Sequence, residues 1–280
     1  MAGRGLRLAV AQGPVGADPR RNAAVMIEQL DQAAAGGADL VLFAECALSG
    51  YAGTHFLDWN SYGRAALVEA EQTLAAAAAR RRLCAVFGTS HFDGPKKPFN
   101  ALRAVGADGQ VLATYAKRAC NDRDLQNYRP GRTPADFVLN GVRIGLAICL
   151  DARFPPFFAD YRARGCDLVL CAHYTAGLSA LPEMQPHHLI ALPILQAHAA
   201  NHVMWVAAAN AADRKQAFPS AIADPDGRVV AKARRDRAGL IWADIETAGE
   251  RMDFWRFVRD FRQSVLDGSR YGAPPLDLLT

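Results

Sequence analysis

Val142-Arg143-Ile144-Gly145-Leu146-Ala147-Ile148-Cys149 is a near-continuous apolar run that stops at a thiol, and Leu150-Asp151-Ala152-Arg153-Phe154-Pro155 then turns the chain through charged residues and a proline. A run with that ending reads as a buried strand presenting a nucleophile at its carboxyl end, where open α/β sheets place their chemistry. Two other segments have the same form. Leu40-Val41-Leu42-Phe43-Ala44-Glu45 ends in a carboxylate, and Val111-Leu112-Ala113-Thr114-Tyr115-Ala116-Lys117 ends in an amine. Glu45, Lys117 and Cys149 at the ends of three strands suggest one thiol-based acyl-transfer site.

Outward from these segments the pattern alternates. Residues 6–12 read as a strand, and 20–35 as a helix with Ala23, Ile27, Leu30 and Ala34 along one face, ended by Gly36-Gly37. The outline repeats with the Ala-rich stretch 64–82, which carries Leu67, Ala70, Leu74 and Ala78 on one face and leads into a strand at 83–88. Asp108-Gly109 and Asp226-Gly227 are hairpin signals. A short helix is expected at 157–164, a strand at 167–172, a helical stretch from about 186 to 202 interrupted by Pro193, and a strand at 203–209. Strands, helices and hairpins mixed in this way predict an α/β fold of sheets covered by helices, not an all-parallel wound sheet. No linker divides residues 1–280, so one domain is expected.

A chain of 280 residues, 51% hydrophobic and 21% charged, is long enough to bury a sizeable core and too apolar for disorder. Its net charge of +4 comes from Lys and Arg scattered among acids, which argues against a nucleic-acid partner. Six cysteines without a Cys-x-x-Cys pair point to free thiols in a reducing compartment. With no signal-like stretch and no run apolar enough to cross a bilayer, the cytoplasm is the expected location and a membrane is not an expected partner. His198 and His202 share a helical face, but Ala199 stands where a His-Glu-x-x-His site needs its base, and His187-His188 adds no third ligand. Neither a phosphate loop nor a dinucleotide fingerprint is present, so no metal, nucleotide or other cofactor is expected. Gly177-Leu178-Ser179-Ala180-Leu181 lacks the second glycine of a serine elbow, leaving the thiol as the nucleophile.

With these motifs in order, the chain resembles the nitrilase, or carbon–nitrogen hydrolase, superfamily, whose catalytic residues are a Glu, a Lys and a Cys. Phe43-Ala44-Glu45-Cys46-Ala47-Leu48-Ser49-Gly50-Tyr51, Tyr115-Ala116-Lys117 and Ile148-Cys149-Leu150-Asp151-Ala152-Arg153-Phe154-Pro155 are similar to its three motifs. Phe99-Asn100, Tyr128-Arg129-Pro130-Gly131, Ala208-Ala209-Asn210 and the stretch from Ser220 to Gly227 also fall in the family's order, up to about Glu246. The resemblance implies an α-β-β-α sandwich, two sheets face to face with helices outside, paired as a homodimer or higher homo-oligomer, with the segment from about 247 a tail or dimerisation extension. It implies Cys149 as nucleophile, Glu45 as proton shuttle and Lys117 as the charge beside the oxyanion, together with a backbone N–H just after Cys149.

Departures from the pattern mark the rest of the site. The family's second glutamate is absent, and Asp124 is the carboxylate candidate in its place, either orienting Lys117 or receiving a substrate amine, or capping a loop. Ala211-Ala212-Asp213 stands where a glycine is usual, and Ala119-Cys120 where a His is frequent. Tyr51, His173 and Tyr174 are further substrate-binding candidates, with a hydrogen-bonded structural role the alternative for His173. Arg153 has the position of an arginine that can grip a substrate carboxylate in some members; a structural ion pair with Asp151 or a nearby acid is its alternative. The expected activity is cleavage of a non-peptide C–N bond in a small linear amide or N-carbamoyl compound through a cysteine thioester. Nitrile hydrolysis, amide-forming acyl transfer and a catalytically silent binding protein are the alternatives.

Overall fold

The computed structural model describes residues 5–94, 96–176, 185–247 and 250–269. The chain begins β1 (Gly5–Gln12), α1 (Pro19–Ala35), β2 (Leu40–Leu42), α2 (Arg64–Arg81), β3 (Cys84–His91), then the hairpin β4 (Phe99–Val105) and β5 (Val111–Ala116). After α3 (Asp122–Asn127) and the edge strand β6 (Asp136–Leu139) come β7 (Val142–Ile148), α4 (Pro155–Ala163), β8 (Leu168–Ala172), α5 (Gln185–His202) and β9 (Trp205–Ala209). The hairpin β10 (Ala221–Ala223) and β11 (Val229–Lys232) follows, then β12 (Gly239–Glu246) and α6 (Glu250–Leu266). One sheet has the order β12-β1-β2-β3-β4-β5 and the other β11-β10-β9-β8-β7-β6.

Side-chain alternation explains why the sheets face each other. In β7, Val142, Ile144, Leu146 and Ile148 enter the core between the sheets, where Leu8, Val10, Leu40, Leu42, Leu168 and Leu170 meet them. The opposite face carries small residues: Ala147 packs under α4 and α5, and a Cβ on Gly145 would come 2.6 Å from the Tyr161 ring. On the other sheet Ala9, Ala11, Val41 and Phe87 pack beneath α1 and α2. Two sheets inside and helices outside make the expected α-β-β-α sandwich.

Two points differ from the sequence reading. α5 runs unbroken through Pro193, which is exposed, as is Leu189 at 76%, the residue whose carbonyl loses its partner to proline and can turn to water. α3, β6 and β12 form in stretches the sequence left unassigned. Beyond residue 247, Trp255 of α6 is buried in the inter-sheet core, its ring 6.1 Å from that of Trp205. Residues 270–280 lie outside the described residues. No helix among the described residues is long and apolar enough to cross a membrane, and all six cysteines are unpaired.

Candidate active site

Strand ends bring Glu45, Lys117 and Cys149 together at one end of the sandwich. Glu45 follows β2 at the entry to a turn and is fully buried. Its Oε1 accepts from Lys117 Nζ at 2.9 Å and from Asn100 Nδ2 at 2.7 Å, and its Oε2 accepts from the Tyr174 backbone N–H at 2.9 Å. Gly88 makes the turn possible, because a Cβ there would stand 2.2 Å from the Cys46 nitrogen. Lys117, 1% exposed, follows β5. Its ammonium also pairs with Asp124 Oδ2 at 2.9 Å, and its backbone is held by Asn100 O and by the Gly131 N–H.

Cys149 opens a short 3₁₀ turn (Cys149–Arg153) after β7, half-buried and with φ at 48°, a left-handed conformation that a side chain adopts only when its surroundings enforce it. Glu45, Lys117 and Asp124 are all close enough to the thiol to act on its charge. Burial first, then Glu45, pushes the thiol pKa well up, so the resting sulfur is protonated. Burial also raises Glu45, opposed by Lys117 and reinforced by Asp124. Burial alone would lower Lys117, yet Glu45 and its other anionic neighbours raise it well above the usual lysine range and keep it charged. The arrangement is a neutral thiol beside a carboxylate of raised proton affinity, next to a fixed cation.

Of the three roles left open for Asp124, the structure shows the contacts of two, a loop cap and a partner of Lys117. Asp124 is the third residue of α3, where its carboxylate accepts from Asn121 N while Asn121 Oδ1 accepts from Asp124 N, a reciprocal cap; the same carboxylate pairs with Lys117 and accepts from Tyr51 OH. Tyr51 stacks on Tyr174, ring centroids 5.7 Å apart. His55 Nδ1 accepts from Tyr51 N, so its Nε2 carries the proton and donates to Tyr174 OH at 2.9 Å. His173 is 5% exposed and its Nε2 has no hydrogen-bond partner; burial, then Lys117, lowers its pKa to about 3 and keeps the ring neutral.

Arg153 does not join the cluster. It is exposed and lines a hollow of about 260 Å³ with His198, Asn201 and His202 of α5. Its expected ion pair with Asp151 is also not formed, because that carboxylate accepts instead from Tyr115 OH, Ala119 N and Ile148 N. His198 is a packed core residue, stacked 3.8 Å from Phe158 and bonded to Ala152 O. Among the described residues no three His, Cys, Asp or Glu side chains converge on a metal position. The serine-elbow stretch 177–181 and the side chains of His187 and His188 lie outside the described residues. Sequence reasoning gave no role to Asn100, although a buried amide among the apolar residues of β4 is a signal in itself. Arg123 was also missed: it is exposed on α3, with its guanidinium 5.4 Å from the Tyr51 ring centroid.

A sequence model described as Carbon-nitrogen hydrolase matches residues 7–252. A hydrolase of Mycobacterium tuberculosis (strain ATCC 25618 / H37Rv) is 30% identical over an alignment covering 92% of this chain and 97% of its own. The omega-amidase NIT2 of Homo sapiens is 27% identical, covering 86% of this chain and 88% of its own. Among solved structures, a mutant of the Nesterenkonia AN1 amidase from the nitrilase superfamily has a TM-score of 0.77 at 22% identity, covering 95% of this chain and 98% of that one. Another structure of that amidase, with a TM-score of 0.76 and the same identity and coverage, shows covalent addition of the acetamide moiety of fluoroacetamide at the active-site cysteine.

Proposed function

The chain belongs to the carbon–nitrogen hydrolase family, and from that premise we propose that it hydrolyses a small linear amide or N-carbamoyl compound through a thioester on Cys149. The observation that carries this reading is the buried Glu45 carboxylate, bonded to the Lys117 ammonium at 2.9 Å and near enough to the Cys149 thiol to act on its charge. Cys149 attacks the carbonyl carbon as its proton passes to Glu45, and the negative charge that develops on the carbonyl oxygen is stabilised by Lys117. Collapse breaks the C–N bond, Glu45 returns the proton to the departing nitrogen, and ammonia or an amine leaves. Glu45 then takes a proton from water as the hydroxide adds to the thioester, and the second collapse releases the acid and restores the thiol. No step requires a cofactor.

Asp124 holds Lys117 in place and completes a wall with Tyr51 and Tyr174, against which the substrate is bound. His173 offers a neutral nitrogen beside Lys117 for a polar group of the substrate. Arg153, facing the α5 hollow, is assigned to the surroundings of the turn, not to a substrate carboxylate. The names of the omega-amidase and amidase relatives support an amide over a nitrile. Action in the cytoplasm is part of the same reading, supported by six unpaired thiols.

Intact-mass measurement after incubation with ω-amides, N-carbamoyl amino acids and nitriles tests the proposal. An acyl adduct on Cys149 from an amide or carbamoyl compound, with matching release of ammonia or amine, is the expected result. Adducts from nitriles alone would replace the substrate class, and turnover retained without Cys149 would remove the mechanism.

A further inference from the structure

We propose that Asp151 is a positioning residue that fixes the Cys149 turn against the lysine loop. The inference rests on the reading of Cys149 as nucleophile and Lys117 as its electrostatic partner. Those two residues end strands in different sheets: β5 is the edge of one and β7 lies within the other, so no backbone ladder sets the distance between them. Asp151 spans that gap. Its side chain is fully buried two residues past the nucleophile. Oδ2 accepts from the N–H of Ile148, the residue just before Cys149, at 2.8 Å and from Tyr115 OH at 2.6 Å. Oδ1 accepts from the Ala119 N–H at 2.8 Å. Tyr115 and Ala119 stand two residues before and two residues after Lys117, so one carboxylate is bonded on both sides of the lysine and to the root of the nucleophile turn.

Three donors converging on two oxygens require a carboxylate. An amide at this place keeps the shape, but either orientation of its NH₂ faces the backbone N–H of Ile148 or of Ala119, and one of the two bonds is lost. Tyr115 is held for its task from the other side: Arg118 Nε donates to its hydroxyl at 3.2 Å, and that guanidinium lies 3.7 Å from the ring centroid of Phe157 in α4. The Ile148 bond stabilises the entry to the turn in which Cys149 adopts its left-handed conformation, and the Ala119 bond sets where Lys117 stands relative to it. Asp151 touches neither thiol nor ammonium in this arrangement. It acts through both.

The test compares Asp151→Asn and Tyr115→Phe with the parent enzyme on one amide substrate, measuring kcat, KM and melting temperature, with Cys149→Ala in the same assay. For folded Asp151→Asn, kcat is expected to fall roughly tenfold to a hundredfold with KM changed little, because displacement of reacting groups slows chemistry more than binding. Tyr115→Phe keeps both backbone bonds and is expected to lose about threefold to tenfold in kcat. Folded Asp151→Asn with kcat within about twofold of the parent, its melting temperature alone lowered, would overturn the proposal. If that variant does not fold, unchanged kcat in Tyr115→Phe overturns it instead. Activity retained by Cys149→Ala would refute the underlying mechanism, a result distinguishable from an inactive Cys149→Ala beside a fully active Asp151→Asn.

Discussion

Glu45 divides its two carboxylate oxygens between tasks: Oε1 is taken by Lys117 and Asn100, while Oε2 has the Tyr174 backbone N–H. With Asp124 the buried set holds two carboxylates and one ammonium, so moving a proton from the thiol to Glu45 relocates one negative charge without creating another. Cys149→Ala is therefore expected to abolish turnover while shifting the melting temperature by only a few degrees, since a thiol becomes a methyl with little loss of packing; an active variant would exclude the thioester. Lys117→Met should cost on the order of a hundredfold or more in kcat, the loss typical of an oxyanion donor, and a variant within a few fold of the parent would make the amine structural. The pH profile tests Asp124 separately. Because Glu45 acts as a base and its pKa is raised, activity should fall, as pH decreases, at a pH above the ordinary carboxylate range. Asp124 contributes to that rise, so Asp124→Asn should move the acid limb of kcat/KM to lower pH. An unmoved limb would mean that the two carboxylates do not sense each other.

Among the elements, the end of β5 shows how the scaffold sets the lysine. Gly131 donates to Lys117 O at 2.7 Å, and a Cβ at Gly131 would stand 2.2 Å from Ala116 O, so the two backbones are already in closest approach. Gly131→Ala must push the strand end away, and a loss of about tenfold or more in kcat is expected from the displaced ammonium, measured alongside thermal melting. Parental kcat would show that the Tyr128-Arg129-Pro130-Gly131 turn yields without moving Lys117. The same contrast between local and distant causes decides what could be read from the sequence. β7 was legible because it is a near-continuous apolar run that stops at a thiol, and Glu45 and Lys117 were legible as charged residues ending apolar strands. α3 was not, since six residues carry no periodicity and the helix is fixed by its reciprocal cap and by Asp124 meeting Lys117. Asn100 and Asp151 acquire their roles from partners 55 and 32 residues away, and nothing local announces such a contact. For Arg153 the spacing from Cys149 was visible, but not the direction in which the turn aims it, toward the hollow beside α5.

Across the whole molecule, the two sheets share one pairing pattern. β12-β1-β2-β3-β4-β5 and β6-β7-β8-β9-β10-β11 both run antiparallel, parallel, parallel, antiparallel, antiparallel. Glu45 after β2 thus has its topological counterpart in the segment after β8, and the two meet directly: Glu45 N donates to His173 O, and Tyr174 N donates back to the Glu45 carboxylate. Helices α1 and α2 cover one outer face and α4 and α5 the other, while α6 closes the inter-sheet core with Trp255 and Val258. That helix has a second apolar side. Phe254 and Phe257, 59% and 65% exposed, sit three residues apart on a face turned away from Trp255. Aromatic side chains exposed at this spacing, with Phe261 also 44% exposed, favour burial against a two-fold copy of the same surface, which is the homodimer that the family resemblance implies. Light scattering is expected to give a dimer for the parent protein and a lower mass for the Phe254→Ser/Phe257→Ser double variant, with melting temperature reporting whether the variant remains folded. A dimer that survives in the folded double variant would assign the contact to another surface, and a monodisperse, active monomer of the parent would remove the dimer altogether.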